Sequence, residues 1–160
     1  MRKFIFLLLA TLMMSCNGNA QKKKSSENFE ISKSEKEWKQ ELTSAEFQVL
    51  RKAATEPAFS SDLNKIKEPG TFVCAACGNE LYKTEYKFMS GTGWPSFDRP
   101  IEGGVSLGRD SKLGYTRDEV HCAKCGGHLG HVFDDGPRET TGKRYCMNGV
   151  AMDFVPAKNQ

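Results

Sequence analysis

The chain lacks an apolar run long enough to cross a membrane as a helix. Its one sustained run, Phe4 to Met14, has the length of a signal-peptide core and follows the basic Met1-Arg2-Lys3. It also lacks a basic patch interleaved with aromatic residues. The formal charge of +3 comes from 23 basic against 20 acidic residues, and much of the excess lies in Lys22-Lys23-Lys24, so nucleic acid is not an implied partner. There is no internal repeat beyond two short cysteine motifs. With 160 residues the chain has room for one domain with a modest core, which a structural metal would help to stabilise.

Export is therefore the expected fate. Ser15-Cys16 is similar to the cleavage and acylation site of bacterial lipoproteins, which makes residues 1–16 the leader and Cys16 the lipidation site. Met13 stands where Leu is usual. Ordinary cleavage near Ala20 is the alternative, and a free thiol in a retained leader is a third reading. Residues 17–34 are mostly Lys, Ser, Asn and Glu with little apolar content, the composition of a disordered tether. Such a tether would hold a domain over 35–157 off a membrane, in the cell envelope and facing the periplasm, with the lipid as its only membrane contact.

From Glu35 to Thr55 the apolar residues Trp38, Leu42, Phe47 and Leu50 fit one or two amphipathic helices packed outside the core. Thr43-Ser44-Ala45-Glu46 offers a cap inside the stretch. Glu56 to Gly70 reads as loop. After Thr71 the pattern changes to short β-prone runs broken by glycines. These are Thr71–Val73, Leu81-Tyr82, Gly104–Leu107, Tyr115-Thr116, Glu119–His121, His131–Phe133, Arg144–Met147 and Met152–Val155. Their spacing predicts a mainly β domain of antiparallel sheets.

The six cysteines divide into three groups. Cys74 and Cys77 form one C-x-x-C pair, and Cys122 and Cys125 form a second, which is the ligand arithmetic of a four-thiolate zinc site. The two-residue gap lets both thiolates face one ion while backbone amides turn toward the sulfurs. The following Gly78 and Gly126 accept positive φ. With every position filled by sulfur there is no place for water, so the single ion is expected to be structural. Disulfides are the competing reading, because exported proteins meet an oxidising environment. A disulfide within a C-x-x-C is usually labile, however, and two in one small domain would be unusual. With Cys16 given to targeting, only Cys146 is left for chemistry.

Cys146 lies in Arg144-Tyr145-Cys146-Met147-Asn148. In an extended strand, side chains at i and i+2 share a face, so Arg144, Cys146 and Asn148 would project together. A guanidinium beside a thiol favours the thiolate, which is the reactive form. A buried, inert cysteine is the alternative. His128 and His131, three apart, could be ligands, proton donors or surface residues. Four cysteines already satisfy a metal, so proton donation near the thiol is their functional reading. Trp94, in the glycine-hinged Ser90–Phe97 segment, is either a core or loop anchor or an aromatic wall for an apolar substrate group.

Gly93-Trp94-Pro95-Ser96-Phe97, His128-Leu129-Gly130-His131-Val132-Phe133, Asp135-Gly136-Pro137 and Arg144-Tyr145-Cys146-Met147-Asn148 lie in order, interleaved with the cysteine motifs. Together they resemble the B-type peptide methionine sulfoxide reductases from about Glu35 to Phe154. The resemblance implies two antiparallel β-sheets with peripheral N-terminal helices. It also implies reduction of the R epimer of methionine sulfoxide in peptides and proteins, a repair reaction.

Carried over by position, Cys146 is the nucleophile, supported by Arg144 and Asn148. His128 and His131 protonate the sulfoxide oxygen, and Asp135 orders that polar side. Trp94 and Phe97 bind substrate, Trp94 taking the methyl group. Many family members carry a resolving cysteine between the two glycines before the tryptophan, where this chain has Thr92. A monomeric one-cysteine enzyme is expected, its sulfenic acid reduced by an external thiol such as a thioredoxin-like domain. Two other classes compete with this reading. One is a zinc-stabilised binding module. The other is a thiol-disulfide oxidoreductase working through a C-x-x-C.

Overall fold

Near Thr71 the apolar spacing passes from helical to alternating, and the architecture changes with it. The computed structural model describes residues 29–158. Cys16, the leader and most of the expected tether lie outside the described residues. Among those described, no helix is long and apolar enough to cross a membrane. The last part of the expected tether belongs to the fold. The Ile31 amide donates to the Lys124 carbonyl at 2.9 Å, and Ile31 packs against the core. Phe29 lies against Gly126. These two apolar residues dock a stretch that is otherwise polar.

Two helices follow, α1 (Glu35–Glu41) and α2 (Ser44–Lys52), each opened by a reciprocal capping box: Ser34 with Glu37 and Thr43 with Glu46. The second box is the cap visible in the sequence, and it splits the amphipathic stretch in two. Trp38, Phe47, Val49 and Leu50 turn inward. The Arg51 guanidinium stacks 3.8 Å from the Trp38 ring and donates to the Cys125 carbonyl at 2.8 Å, fastening α2 to the second cysteine motif.

The strands are β1 (Gly70–Cys74), β2 (Glu80–Lys83), β3 (Lys87–Phe88), β4 (Ser96–Phe97), β5 (Val105–Asp110), β6 (Arg117–Cys122), β7 (His128–Phe133), β8 (Arg144–Met147) and β9 (Met152–Pro156). They form two sheets, ordered β2-β1-β9 and β3-β4-β8-β7-β6-β5. Every pair is antiparallel. This is the mainly β fold expected, with two sheets and outer helices. Two departures are local. Tyr115-Thr116 lies in the β5–β6 loop, where Gly114 takes φ 81°. β3 and β4 are two-residue strands that no periodicity could announce.

The core fills the space between the sheets. Phe72, Tyr82, Phe97, Leu129 and Met147 are fully buried, and Tyr82 stacks on Phe97 with centroids 4.2 Å apart. The Tyr82 hydroxyl donates to the Met147 sulfur at 3.1 Å, giving a buried polar atom its partner. The chain passes from β8 through a short turn, Gly149–Ala151, into β9 of the other sheet. The strand bearing Cys146 is thereby tied to both layers.

Candidate active site and metal centre

The two C-x-x-C motifs occupy the β1–β2 and β6–β7 turns, one from each sheet, and their four sulfurs lie within 4.8 Å of one another. Gly78 and Gly126 take φ 70° and 66°, as the motif requires. The sulfurs of Cys74 and Cys125 are 3.8 Å apart, and those of Cys77 and Cys122 are 3.6 Å apart. A disulfide would need about 2.05 Å. Four sulfurs bound to one tetrahedral ion at about 2.3 Å sit about 3.8 Å from each other, so this set fits a metal ion. Hydrogen bonding with Cys122 and Cys125, then burial, pushes the Cys74 and Cys77 thiols far above their ordinary range. A cation bound among them would let all four ionise together.

Cys146 stands apart from that cluster. In the six-stranded sheet it is the direct partner of Ser96 on β4 and of His131 on β7, and His131 is the partner of Glu119 on β6. Opposed residues in antiparallel strands share a face, so Ser96, Cys146, His131 and Glu119 form one row. Gly130 completes the arrangement, since a Cβ there would lie 2.1 Å from the Cys146 carbonyl oxygen. A cavity of about 120 Å³ opens over the row, lined by Cys146, His131, Trp94, Asn148, Arg117 and Phe133 among others.

His128 and His131 would face opposite sides of a regular strand. The β6–β7 register shifts between Val120 and His121, leaving Leu129 as the extra residue of a bulge, and this turns both rings to one side. Their centroids are 5.4 Å apart. His131 lines the cavity, and His128 stands behind it, bonded through Nδ1 to Glu119. Burial raises the Glu119 carboxyl, but hydrogen bonds from His121 and His128 outweigh it and hold the group far below the carboxylate range.

The His131 Nε2–H donates to Asp110 Oδ2 at 3.0 Å. Asp110 also accepts from the Lys112 amide at 2.8 Å and from Arg117. The amide first, then His131 and Arg117, bring its pKa down to about 2 despite burial. His131 itself is lowered, chiefly by burial, with Asp110 acting in the opposite direction. Its neutral ring thus keeps a hydrogen on Nε2 and a free lone pair on Nδ1.

Arg144 shares the Cys146 face as the i, i+2 rule requires. Its Nε and Nη2 each donate to Asp135 at 2.8 Å, and it stacks 4.5 Å from the Phe133 ring. Its bond to Asp135, chiefly, raises the guanidinium above its usual range. Asn148, beyond the end of β8, donates to the Leu129 carbonyl at 3.0 Å and accepts the Glu56 amide at 3.0 Å. On the other flank, the Thr92 hydroxyl lies 3.8 Å from the Cys146 sulfur. It begins a chain of hydroxyls through Ser90 at 2.8 Å to buried Ser96 at 2.7 Å.

Trp94 lies in the cavity wall, its indole N–H donating to the Glu56 carbonyl at 3.1 Å. Phe97, expected beside Trp94 at the substrate, is fully buried and does not line the cavity. It follows Ser96, which faces Cys146, so strand alternation sends its ring to the opposite side, into the stack with Tyr82. Phe133 supplies the second aromatic wall instead. Sequence reading also missed Asp110, Arg117, Glu119 and Glu56. The Gly114 turn offered a signal for one pair, because a hairpin closed there sets Asp110 opposite Arg117. Glu56 had none. Its carboxylate accepts the amides of Gly149 at 2.6 Å and Val150 at 2.9 Å, while its own backbone holds Trp94 and Asn148.

A lone thiol free of metal and disulfide, set beside a fixed cation and a neutral imidazole, is equipped for redox work at sulfur. Fold and site thus suit a thiol-based oxidoreductase with a separate set of cysteines placed to hold a metal ion. A family model described as "SelR domain" matches residues 42–156. Curated relatives include "Peptide methionine sulfoxide reductase MsrB" of Leptospira interrogans, 50% identical over 128 residues, covering 79% of this chain and 97% of that protein. The protein of the same name from Leifsonia xyli is 50% identical over 129 residues, with 80% and 93% covered. That of Methanosarcina barkeri is 51% identical over 125, with 78% and 87% covered. A solved structure, the Mis18 "Yippee-like" domain, aligns at TM-score 0.46 and 15% identity over 57% of this chain and 100% of its own, too slight a likeness to argue from. The chain belongs to the SelR-domain family, the B-type peptide methionine sulfoxide reductases.

Proposed function

We propose that Cys146 is the residue with which this oxidoreductase reduces methionine sulfoxide in peptides and proteins. The observation that carries this is the position of its sulfur, uncommitted to metal, in a cavity directly across the strand pair from His131. His131 takes the thiol proton on Nδ1, and the Arg144 guanidinium stabilises the thiolate. The thiolate attacks the sulfoxide sulfur while His131 returns the proton to the oxygen, which would otherwise be a poor leaving group. Oxygen passes to Cys146 as a sulfenic acid, and methionine leaves. Two external thiols then return Cys146 to its thiol, releasing water and their own disulfide.

Trp94 receives the methyl group of the substrate, and the R epimer is the one that fits. Asp110 keeps the His131 ring oriented, and Asn148 fixes the end of β8. Zinc is the ion for Cys74, Cys77, Cys122 and Cys125, since an all-thiolate tetrahedral set suits it and leaves no coordination position for substrate. Its role is to clamp the two sheets. The reductant is a thioredoxin-like protein, the enzyme is a monomer, and it works in the cell envelope. Export and a lipid at Cys16 are supported by the basic start, the short apolar run and Ser15-Cys16.

The test is turnover of each separated sulfoxide epimer by the purified protein with a dithiol reductant. Reduction confined to the R epimer supports the reading, and inactivity on both would end it.

A further inference from the structure

A cavity of about 120 Å³ accommodates a side chain, whereas a protein substrate brings polypeptide on both sides of its oxidised methionine. Thr55 lines this cavity and also a second, larger groove of about 480 Å³ that continues from it. The groove runs between Gln48 and Val49 of α2 and the loop that carries Pro57 and Ser61. Among the described residues its only charged lining residue is Glu56, and both of that carboxylate's oxygens already accept backbone amides. What remains is apolar surface with uncharged polar groups at Gln48, Thr55, Ser60 and Ser61.

Phe59 provides an independent observation. It is 74% exposed, and its φ of 64° is one that a bulky side chain rarely adopts. Its amide donates to the Gly93 carbonyl at 2.7 Å, and its ring lies against Gly93, immediately before Trp94. A backbone conformation rare for a bulky residue thus holds an apolar ring in water, on the loop between the groove-lining Pro57 and Ser60 and against the glycine that precedes Trp94.

We propose that this groove, together with the exposed Phe59 on the loop that lines it, binds the uncharged polypeptide segment next to the oxidised methionine. The proposal rests on the reductase reading above and adds a second subsite to it. Continuity with the cavity through Thr55 identifies the occupant as the substrate's own chain, and the lack of free charge selects apolar and uncharged polar residues.

The experiment compares two substrates, a short peptide with methionine sulfoxide flanked by apolar residues and the single capped amino acid sulfoxide. The variants are Phe59→Gly, which removes the ring at a φ glycine adopts freely, and Gln48→Glu, which puts a charge on an exposed helix position. Each should raise KM for the peptide by about tenfold with kcat unchanged, the scale of one lost apolar contact. Constants for the capped amino acid should stay as in the wild type. Equal change with both substrates, or no change with the peptide, would overturn the subsite. Wild-type inactivity on both substrates would instead sink the reductase reading, and this proposal with it.

Discussion

The Thr92 hydroxyl lies 3.8 Å from the sulfur of Cys146. A sulfur at position 92 would therefore be within reach of a disulfide after a small rotation, whereas a hydroxyl can only hydrogen-bond to the oxidised sulfur. After reaction with substrate in the absence of reductant, intact-mass analysis of the wild type should show one added oxygen and no internal disulfide. Thr92→Cys should show a disulfide joining position 92 to Cys146. A disulfide at Cys146 in the wild type would contradict the one-cysteine scheme.

Replacing the nucleophile separates chemistry from fold. Cys146 belongs neither to the four-sulfur cluster nor to the fully buried core. Cys146→Ser should lower turnover by about 10³-fold or more while bound zinc and the thermal midpoint persist. Zinc analysis and calorimetry on the same sample check both halves.

The Asp110–His131 pair gives a pH signature. Asp110 works against the burial that lowers His131, so Asp110→Asn should shift His131 further down. The acid limb of kcat/KM should then move to lower pH, with a loss of about 10- to 100-fold from the poorly held ring. Stability should respond too. The Asp110 contribution is full above the ordinary carboxylate value of 3.8 and is lost as pH falls through about 2. His131, lowered from 6.5, also costs stability as pH drops below that value. Unfolding of the Asn variant should therefore be less sensitive to acid in the window from 3.8 down to about 2.

The two aromatics of the Trp94–Phe97 segment should fail in different ways. Phe97→Ala opens a hole beside Tyr82 and Phe72 and should cost about 3–5 kcal/mol of stability by denaturant unfolding. Trp94→Phe loses one hydrogen bond, to the Glu56 carbonyl, and should cost only about 1 kcal/mol. Its main effect should be a raised KM.

The sequence displayed whatever depends on residues close together in the chain. The cysteine motifs, the Thr43–Glu46 box and the shared face of Arg144 and Cys146 are local patterns, and each stands where local rules put it. What it hid depends on register. His128 and His131 share a face only because Leu129 bulges, and no residue there announces a bulge. The burial of Phe97 on the face opposite Ser96 could not be read either, because β4 is too short to show alternation. Glu56 joins Trp94 to Asn148 across segments far apart in the chain, which only tertiary structure could reveal.

The most direct test mixes reduced protein with an equal amount of the R sulfoxide, without reductant, and quantifies both products. The account predicts one methionine per protein molecule, with the single new oxygen on Cys146 and the other described cysteines unchanged. Methionine forming while Cys146 stays unmodified, or oxygen appearing on Cys74, Cys77, Cys122 or Cys125 instead, would contradict it.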